Sequence, residues 1–461
     1  MTQHLPKPAG SLLLIGGVDQ HIRRAKELGA HLILIQHPDK INPYQVQAAD
    51  VLLVLDYTDY AQTQPIAAAA MRVWDVTTIL SLTEGGLETA ARLNAEFGHD
   101  GTSVETIRRM RDKWQMRQYL AANDFRTVAA QLATDRDSLL RFGASAGYPF
   151  IVKPTATTAG FGLMKVSGPA DVGPVWDRIC ELTGTRTDRG STLFTVEQFL
   201  MEGYIDGPEY SVEALSFHGQ HVIVAITEKL VDEDHFAELG HALPARLEAQ
   251  TESDIRATVT GLLDLLQVRD GPTHTELRVG PDGPVIIETH NRIGGGTIAD
   301  LVEEAYGIDL TTYGLAWPMG LIAPLREAPV PTGGTCTRFI VRPSGVVSLV
   351  EGRQDVAAHP NLISSELTVE VGDPVRPLAD NWDRLGYVAV RDVDTASAIT
   401  LCEKLVNQTL EVRTRPRAEL LLRPAPEVAA EAPHRPELAA STVRTHSVPH
   451  ESERFTVEAR R

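Results

Sequence analysis

Residues 271–296 read GPTHTELRVGPDGPVIIETHNRIGGG and bring two glutamates, two histidines and two arginines into one short reach of chain. THTELRV and PVIIETH alternate side-chain character with period two, as strands with one buried face do. Pro281, Asp282 and Gly283 fit a three-residue hairpin loop closed by a glycine at positive φ. That loop pairs Gly280 with Pro284 and therefore Glu276 with Glu288, setting the two Cβ atoms ~5 Å apart. His274, His290 and Arg292 share their face, whereas Thr275, Leu277, Val279, Val285, Ile287 and Thr289 take the other. Opposed like charges are destabilising without compensation. Two carboxylates suit Mg²⁺, which completes its shell from substrate phosphates and water. Zn²⁺ on His274, His290 and the glutamates is a second chemistry open to these residue types, and a solvated surface hairpin is a third. The hairpin alone does not choose among them.

Other segments carry groups suited to a polyanion. In FIVKPTATTAGFGLMKV a strand delivers Lys153 into a loop whose Gly160 and Gly162 permit close backbone approach. Amides and hydroxyls of such a loop, Thr158 among them, can cradle phosphate oxygens, although the GxxxxGK[ST] pattern is absent. TVEQFLMEGYIDGPEYSVEAL offers a strand end and bend able to meet a flat base, with Glu209 placed to accept two ribose hydroxyls. Lys113 in RDKWQMR and Lys229 in AITEKL are single lysines that by themselves read as solvated. EDHFAELGHALPARL adds His235, Glu238, His241 and Arg246, and Glu84 follows a strand end near the start.

The elements that must position these groups follow from periodicity. SLLLIGG, DQHIRRAKELGA and HLILIQ read as strand, helix and strand, continued by DVLLVLD and TTILSLTEGG, which opens a parallel α/β unit. A helical pattern runs from Ser103 to Ala122. Strands GYPFIVKP, TLFTVEQFL, PEYSVEALSF and HVIVAITEKL follow, and the amphipathic TESDIRATVTGLLDLLQV leads into the hairpin. IADLVEEAYGIDLTTYGLAW is helical, and beyond Pro331 strands and one helix form an α+β region. From Pro424 the chain turns to Ala, Pro, Glu and His, a composition expected to be disordered.

Composition excludes several functions. The net charge of −18 argues against nucleic acid or an acidic membrane surface as the main partner. Cys180, Cys336 and Cys402 form no CxxC pair, so neither a disulfide framework nor a cysteine zinc site is expected. No apolar run has the length of a signal peptide or a membrane span, so a cytoplasmic location is expected.

In order along the chain, these features resemble the ATP-grasp superfamily: a helix lysine, a strand lysine with a glycine-rich loop, a strand hinge with a downstream Glu, a strand-end lysine, then Glu on one strand and Glu and Arg on the next. GYPFIVKP, VEQFL…GPEYSVEAL, GPTHTELRV and IIETHNRIGG carry the resemblance over about residues 105–310. TRFIVRPSGVVSLVEG and LTVEVGDPV resemble the C-terminal region of the carboxylate–amine ligase branch that includes bacterial L-amino acid ligases. The resemblance implies a mixed α/β and α+β architecture: a Rossmann-like N-terminal domain at 1–104, a two-lobed ATP-grasp domain at 105–325 with a lid lobe at about 120–200, an α+β domain at 326–423, and the tail.

It implies ATP, with Lys113, Lys153, Thr158, Gly160 and Gly162 at the phosphates, Glu197, Gln198 and Leu200 at the adenine edge, and Glu209 at the ribose. Glu276 and Glu288 would bind one or two Mg²⁺ ions, with Mn²⁺ able to substitute. His290 joins them as a ligand, because it stands where many members have Asn. Lys229, Arg292 and His241 are the implied catalytic groups. The implied reaction joins a small-molecule carboxylate and an amine, amino acids or a peptide, through an acyl phosphate, and a homodimer is expected. Another ATP-grasp ligase, a carboxylase or a non-catalytic ATP sensor are the alternatives.

Overall fold

The computed structural model describes residues 10–187 and 193–416; the tail expected beyond Pro424 lies outside them. At the start of the chain, Ser11–Ile15 pairs with His31–Gln36 and Val76–Leu80, and His31–Gln36 with Val51–Val54, all parallel. Parallel neighbours need crossovers, which the helices Asp19–Glu27, Pro43–Ala48 and Tyr60–Trp74 supply. Both faces of the sheet are covered, which explains why SLLLI lacks polar alternation. Leu12 and Leu14 join one core with Ile22 and Leu301, whereas Leu13 and Ile15 join another with Ala67 and Leu93.

A second sheet has the order Ala130–Leu132, Phe199–Gly203, Phe150–Pro154, Met164–Val166, with antiparallel pairing throughout. Phe150, Val152, Phe199 and Met201 face a core shared with Leu139, Phe142, Val172 and Ile179 of the helices Arg136–Ala146 and Val172–Leu182. Alternation then turns Ile151, Lys153, Leu200 and Glu202 to the opposite face.

The third sheet has eight antiparallel strands. From one edge they run Gly283–His290, Gly271–Gly280, Glu209–Phe217, Gln220–Val231, Glu238–Leu243, Gly334–Phe339, Gly386–Asp392 and Leu362–Leu367. The strands beyond residue 326 therefore continue the same ladder, with His241 paired to Thr337 and Thr337 to Ala389. Tyr210, Val212, Ile226, Leu277 and Ile286 pack on Ile255, Val259, Leu262 and Leu266 of the helix Ala249–Leu266. Each such buried aliphatic side chain contributes about 1.5–3 kcal/mol, so this face anchors the opposite, charged one.

Several expectations change in detail. The helical pattern at 103–122 resolves into Val104–Arg111 and Lys113–Ala122, broken at Asp112, whose side chain caps the second helix by accepting from the Gln115 N–H. The region 298–317 likewise divides into Ile298–Tyr306 and Leu310–Ala316 around Gly307 at φ 68°. The segment around His241, given no element by periodicity, is the strand Glu238–Leu243.

The hairpin also closes differently. Gly280 pairs with Gly283, not Pro284, across the two-residue loop Pro281–Asp282, because Gly283 at φ 104° already belongs to the strand. Continued regularly, that register would set Glu276 against Ile287. Instead Leu277 pairs with Ile286 and Glu276 with Glu288, and Ile287 is left as the extra residue of a bulge. The carboxylates oppose each other as expected but by another route, and Ile286 rather than Ile287 enters the core.

Candidate functional site

The charged faces of the second and third sheets line a cleft. Lys113 enters it from a helix start fixed twice: Asp112 caps the helix, and the Lys113 backbone N–H donates to Thr155 O at 2.8 Å. Its Nζ donates to Thr157 O at 2.6 Å and lies 3.0 Å from Glu288 Oε2. The helix thereby ties the glycine-rich loop to the hairpin. Thr158 and Gly160 line the cleft, and the buried Thr158 Oγ1 has no hydrogen-bond partner among the described residues. Gly162 does not line it: a Cβ there would meet Pro154 at 3.0 Å, so this glycine serves packing behind the loop.

Lys153 lies 2.6 Å from Glu202 Oε2, and Glu202 Oε1 accepts from Arg117 Nε at 2.6 Å. Burial opposes ionisation of Glu202, yet Arg117 and Lys153 hold its pKa down to about 2. For Lys153, burial lowers the pKa and Glu202 partly restores it. Arg117 is 1% exposed and also donates to Ile286 O at 2.7 Å and Ile287 O at 3.1 Å, the two carbonyls of the bulge. Sequence reasoning missed this pair, because an arginine one turn after Lys113 reads as a solvated helix face.

The strand-end residues facing the cleft are Glu202, Gly203, Tyr204 and Ile205. Glu197 and Gln198, expected at an adenine edge, are exposed and line a separate depression with Thr155 and Arg186, and the Gln198 carbonyl is taken by Thr155 N–H. Leu200 sits fully buried opposite Lys153. The correction has a simple cause: the strand runs on to Gly203, so its bend comes later than the sequence pattern suggested. Arg278, also missed, pins that bend by donating to Tyr204 Oη at 3.0 Å and Ile205 O at 3.1 Å, and to Glu209 Oε2 at 3.1 Å.

Lys229 stands among three carboxylates: Glu276 at 2.6 Å, Glu238 at 2.7 Å and Glu209 at 3.1 Å. Burial alone would discharge it, but those three hold its pKa well above the ordinary lysine value. Glu276 also receives His274 Nε2 at 3.2 Å, and His274 Nδ1 lies 2.7 Å from Glu213. Burial would lower the His274 pKa, but Glu213 and Glu276 raise it to about 9. Gly294 is needed beside this pair, because a Cβ would lie 2.8 Å from His274 Nδ1.

Glu288 and Glu276 fit a hard cation that draws its remaining ligands from phosphate and water. No group of three His, Cys, Asp or Glu among the described residues is spaced to hold a metal, so any cation at this pair would draw its other ligands from elsewhere. His290 lies between two acids. Its Nε2 is 3.0 Å from Glu288 Oε1, and its Nδ1 is 2.9 Å from Glu84 Oε2, at ion-pair distance but off the hydrogen-bond direction. The expected Asn-like ligand is instead a strut between two acids.

A second cleft, about 1320 Å³, shares the wall of Thr158, Glu238, Glu276 and Glu288 with the first. Arg292 lines it together with Gly294, Gly295 and Gly296. Arg292 is fixed by Glu84 at 2.8 Å, and Glu84 also pairs with Arg111 at 3.1 Å. Burial would raise the Glu84 pKa, but His290, Arg292 and Arg111 hold it well below the usual range, so Glu84 serves as an internal anchor. His241, expected among the catalytic groups, lines neither cleft. It is buried, edge-on to Phe339 and 3.4 Å from Glu238 Oε2, on the sheet face it shares with its register partner Lys229 but covered there by Phe339.

Residues 146–300 match the ATP-grasp domain family, and residues 338–415 match L-amino acid ligase C-terminal domain 2. Over 334 residues the chain is 27% identical to uncharacterized protein y4rH of Sinorhizobium fredii, covering 72% of this chain and 67% of that one. Among solved structures, the L-amino acid ligase from Bacillus licheniformis superposes with a TM-score of 0.77 at 21% identity, covering 89% of this chain and 100% of that one. A biotin carboxylase from Campylobacter jejuni superposes with a TM-score of 0.64 at 19% identity, covering 88% and 92%. At these identities the structural likeness is one of fold.

Proposed function

From a chain that belongs to the ATP-grasp superfamily and carries a C-terminal domain of the L-amino acid ligase type, we propose an ATP-dependent carboxylate–amine ligase that joins an amino acid to a second amino acid or a peptide. The observation that carries this reading is the pair of clefts meeting at Glu238, Glu276 and Glu288. One cleft offers an apolar slot and three lysines; the other offers room for organic substrates beside them.

Ile151, Leu163, Tyr204, Ile205 and Ile287 form the slot and suit a purine ring. The backbone at Gly203–Ile205 borders its edge, and Glu209, held by Lys229 and Arg278, suits the ribose. Lys113 and Lys153 meet the phosphates. Each lysine already faces a carboxylate, so a bare triphosphate would find little uncompensated positive charge. Glu276 and Glu288 would hold the divalent cation, and Mg²⁺, when bound, screens the triphosphate charge. Lys229 holds Glu209, Glu238 and Glu276 in place and keeps Glu238 and Glu276 ionised.

A donor carboxylate oxygen then bonds to the γ-phosphorus, the bond to ADP breaks, and an acyl phosphate forms. Arg292, braced by Glu84, faces the charge that develops there. The amine nitrogen of the second substrate attacks the acyl carbon, inorganic phosphate leaves, and the nitrogen gives up one proton. The loop at 155–163 excludes water from the mixed anhydride, with Trp382 packed on its Phe161 at 5.3 Å between ring centres.

The test is ADP release with Mg·ATP against pairwise pools of amino acids, with mass spectrometry of the products. ADP that requires two components and appears with an amide mass supports the reading. The biotin carboxylase likeness supports a second reading, for which ADP release would depend on bicarbonate. ATP binding without turnover in any pool overturns the ligase in favour of a sensor.

A further inference from the structure

The second cleft is walled by acids, yet it holds two guanidiniums, and the chemistry above uses only Arg292. The other is Arg384, which follows the short helix Asn381–Asp383 in the C-terminal region. Its plane lies over the Phe339 ring at 3.7 Å, which fixes its orientation without using a donor. Nε donates to Asn381 O at 2.8 Å. Nη1 reaches Glu238 O and Oε2 only at 3.4 Å, longer than an ordinary charged hydrogen bond. Nη2 makes no hydrogen bond among the described residues. Arg384 and Arg292 share no partner: Glu84 fixes one, whereas Phe339 and Glu238 hold the other. Burial draws the Arg384 pKa down, Glu238 and Asp380 raise it only in part, and the charge persists at any working pH.

A fixed, planar fork with spare donors is matched to a carboxylate. In the proposed ligase the donor carboxylate is consumed at the phosphoryl end, so a second, permanent anion must come from the other substrate. We propose that Arg384 binds the carboxylate of the amine-bearing substrate, making the acceptor an amino acid, or a peptide short enough for its C-terminal carboxylate to reach Arg384, rather than a simple amine. This inference rests on the ligase reading.

The experiment compares acceptors that differ only in that group. With the donor acid that supports ADP release, wild type, Arg384→Gln and Arg384→Lys are assayed against proteinogenic L-amino acids and against their α-carboxamides. The expected result is that wild type prefers the acids. Arg384→Gln should raise KM for the acids by about tenfold or more while shifting KM for the amides and for ATP less than about twofold, and Arg384→Lys should recover part of the loss. Equal losses on acids and amides, or no preference in wild type, would overturn the inference. If neither pool turns over, the ligase reading fails. Calorimetric titration of the same pools then decides the inference alone: a heat from the acids that weakens in Arg384→Gln supports it, and an unchanged heat overturns it.

Discussion

Replacing Arg117 with Met tests how the cleft is held together. The guanidinium holds Glu202 at 2.6 Å, Thr127 Oγ1 at 3.2 Å and the carbonyls of Ile286 and Ile287. It therefore joins the helix of Lys113, the strand that carries Glu202 and the bulge preceding Glu288. Met fills similar volume but supplies no donor, leaving Glu202 with Lys153 alone and two carbonyls unpaired. Breaking a buried ion pair costs about 3–5 kcal/mol, and an unpaired buried carbonyl about 1–3 kcal/mol. Neighbouring losses do not add fully, so about 4–6 kcal/mol is expected, a large share of the ~5–15 kcal/mol that holds a typical domain.

The Glu202 titration gives an independent check. Its pKa falls from 4.5 unfolded to about 2 folded, so ionised Glu202 contributes about 3 kcal/mol that is present above pH 4.5 and lost as pH falls toward 2. Arg117→Met should flatten that acid limb. Urea unfolding followed by tryptophan fluorescence at pH 7.5 and at pH 4 measures both effects, and Glu202→Gln completes a double-mutant cycle with an expected coupling of about 2–3 kcal/mol. A variant within 1 kcal/mol of wild type, or additive single changes, would refute the reasoning.

Three further outcomes are expected. Glu288→Gln should lower ADP formation by roughly 100-fold or more while nucleotide binding persists, since it weakens the cation site and the Lys113 contact together; equilibrium dialysis beside a turnover assay separates the two. His21 is buried, its Nδ1 has no hydrogen-bond partner among the described residues, and burial depresses its pKa from 6.5 to about 4. The neutral form is therefore favoured in the fold, stability should decline by about 3 kcal/mol as pH falls from 6.5 toward 4, and His21→Gln should reduce that decline in denaturation curves. Trp382 packs on Phe161 and Phe194. Trp382→Ala should loosen the loop and raise ADP release relative to amide formed, and an unchanged ratio counts against Trp382 as part of the water barrier.

How much of this was legible beforehand varied by residue. SLLLI announced the first strand of a parallel α/β unit, and the alternation around Glu276 and Glu288 announced a hairpin with paired acids. Their pairing was anticipated through a turn that does not form, because sequence cannot show that Gly283 joins the strand while Ile287 bulges out. The lysines and glutamates were recognisable by order and type. Their partners were not: Arg117 meets Glu202 across 85 residues, and Arg278 meets Tyr204 across 74. Charges on amphipathic elements look solvated until another sheet is placed over them. His241 and His290 misled in the opposite sense, since Phe339 covers one and two acids flank the other.

The eight-strand ladder has a consequence for modularity. Chain boundaries drawn between the hairpin region and the later strands would cut through a continuous hydrogen-bonded sheet. A fragment ending near Leu325 would leave Glu238–Leu243 without its partner Gly334–Phe339, exposing a new edge ready to pair with other chains. It would also remove Phe339, Asn381 and Arg384 from beside Glu238. Truncation or exchange of the C-terminal portion, in nature or in the laboratory, therefore cannot be a swap of independent parts: any replacement must bring a strand of matching register to inherit the edge.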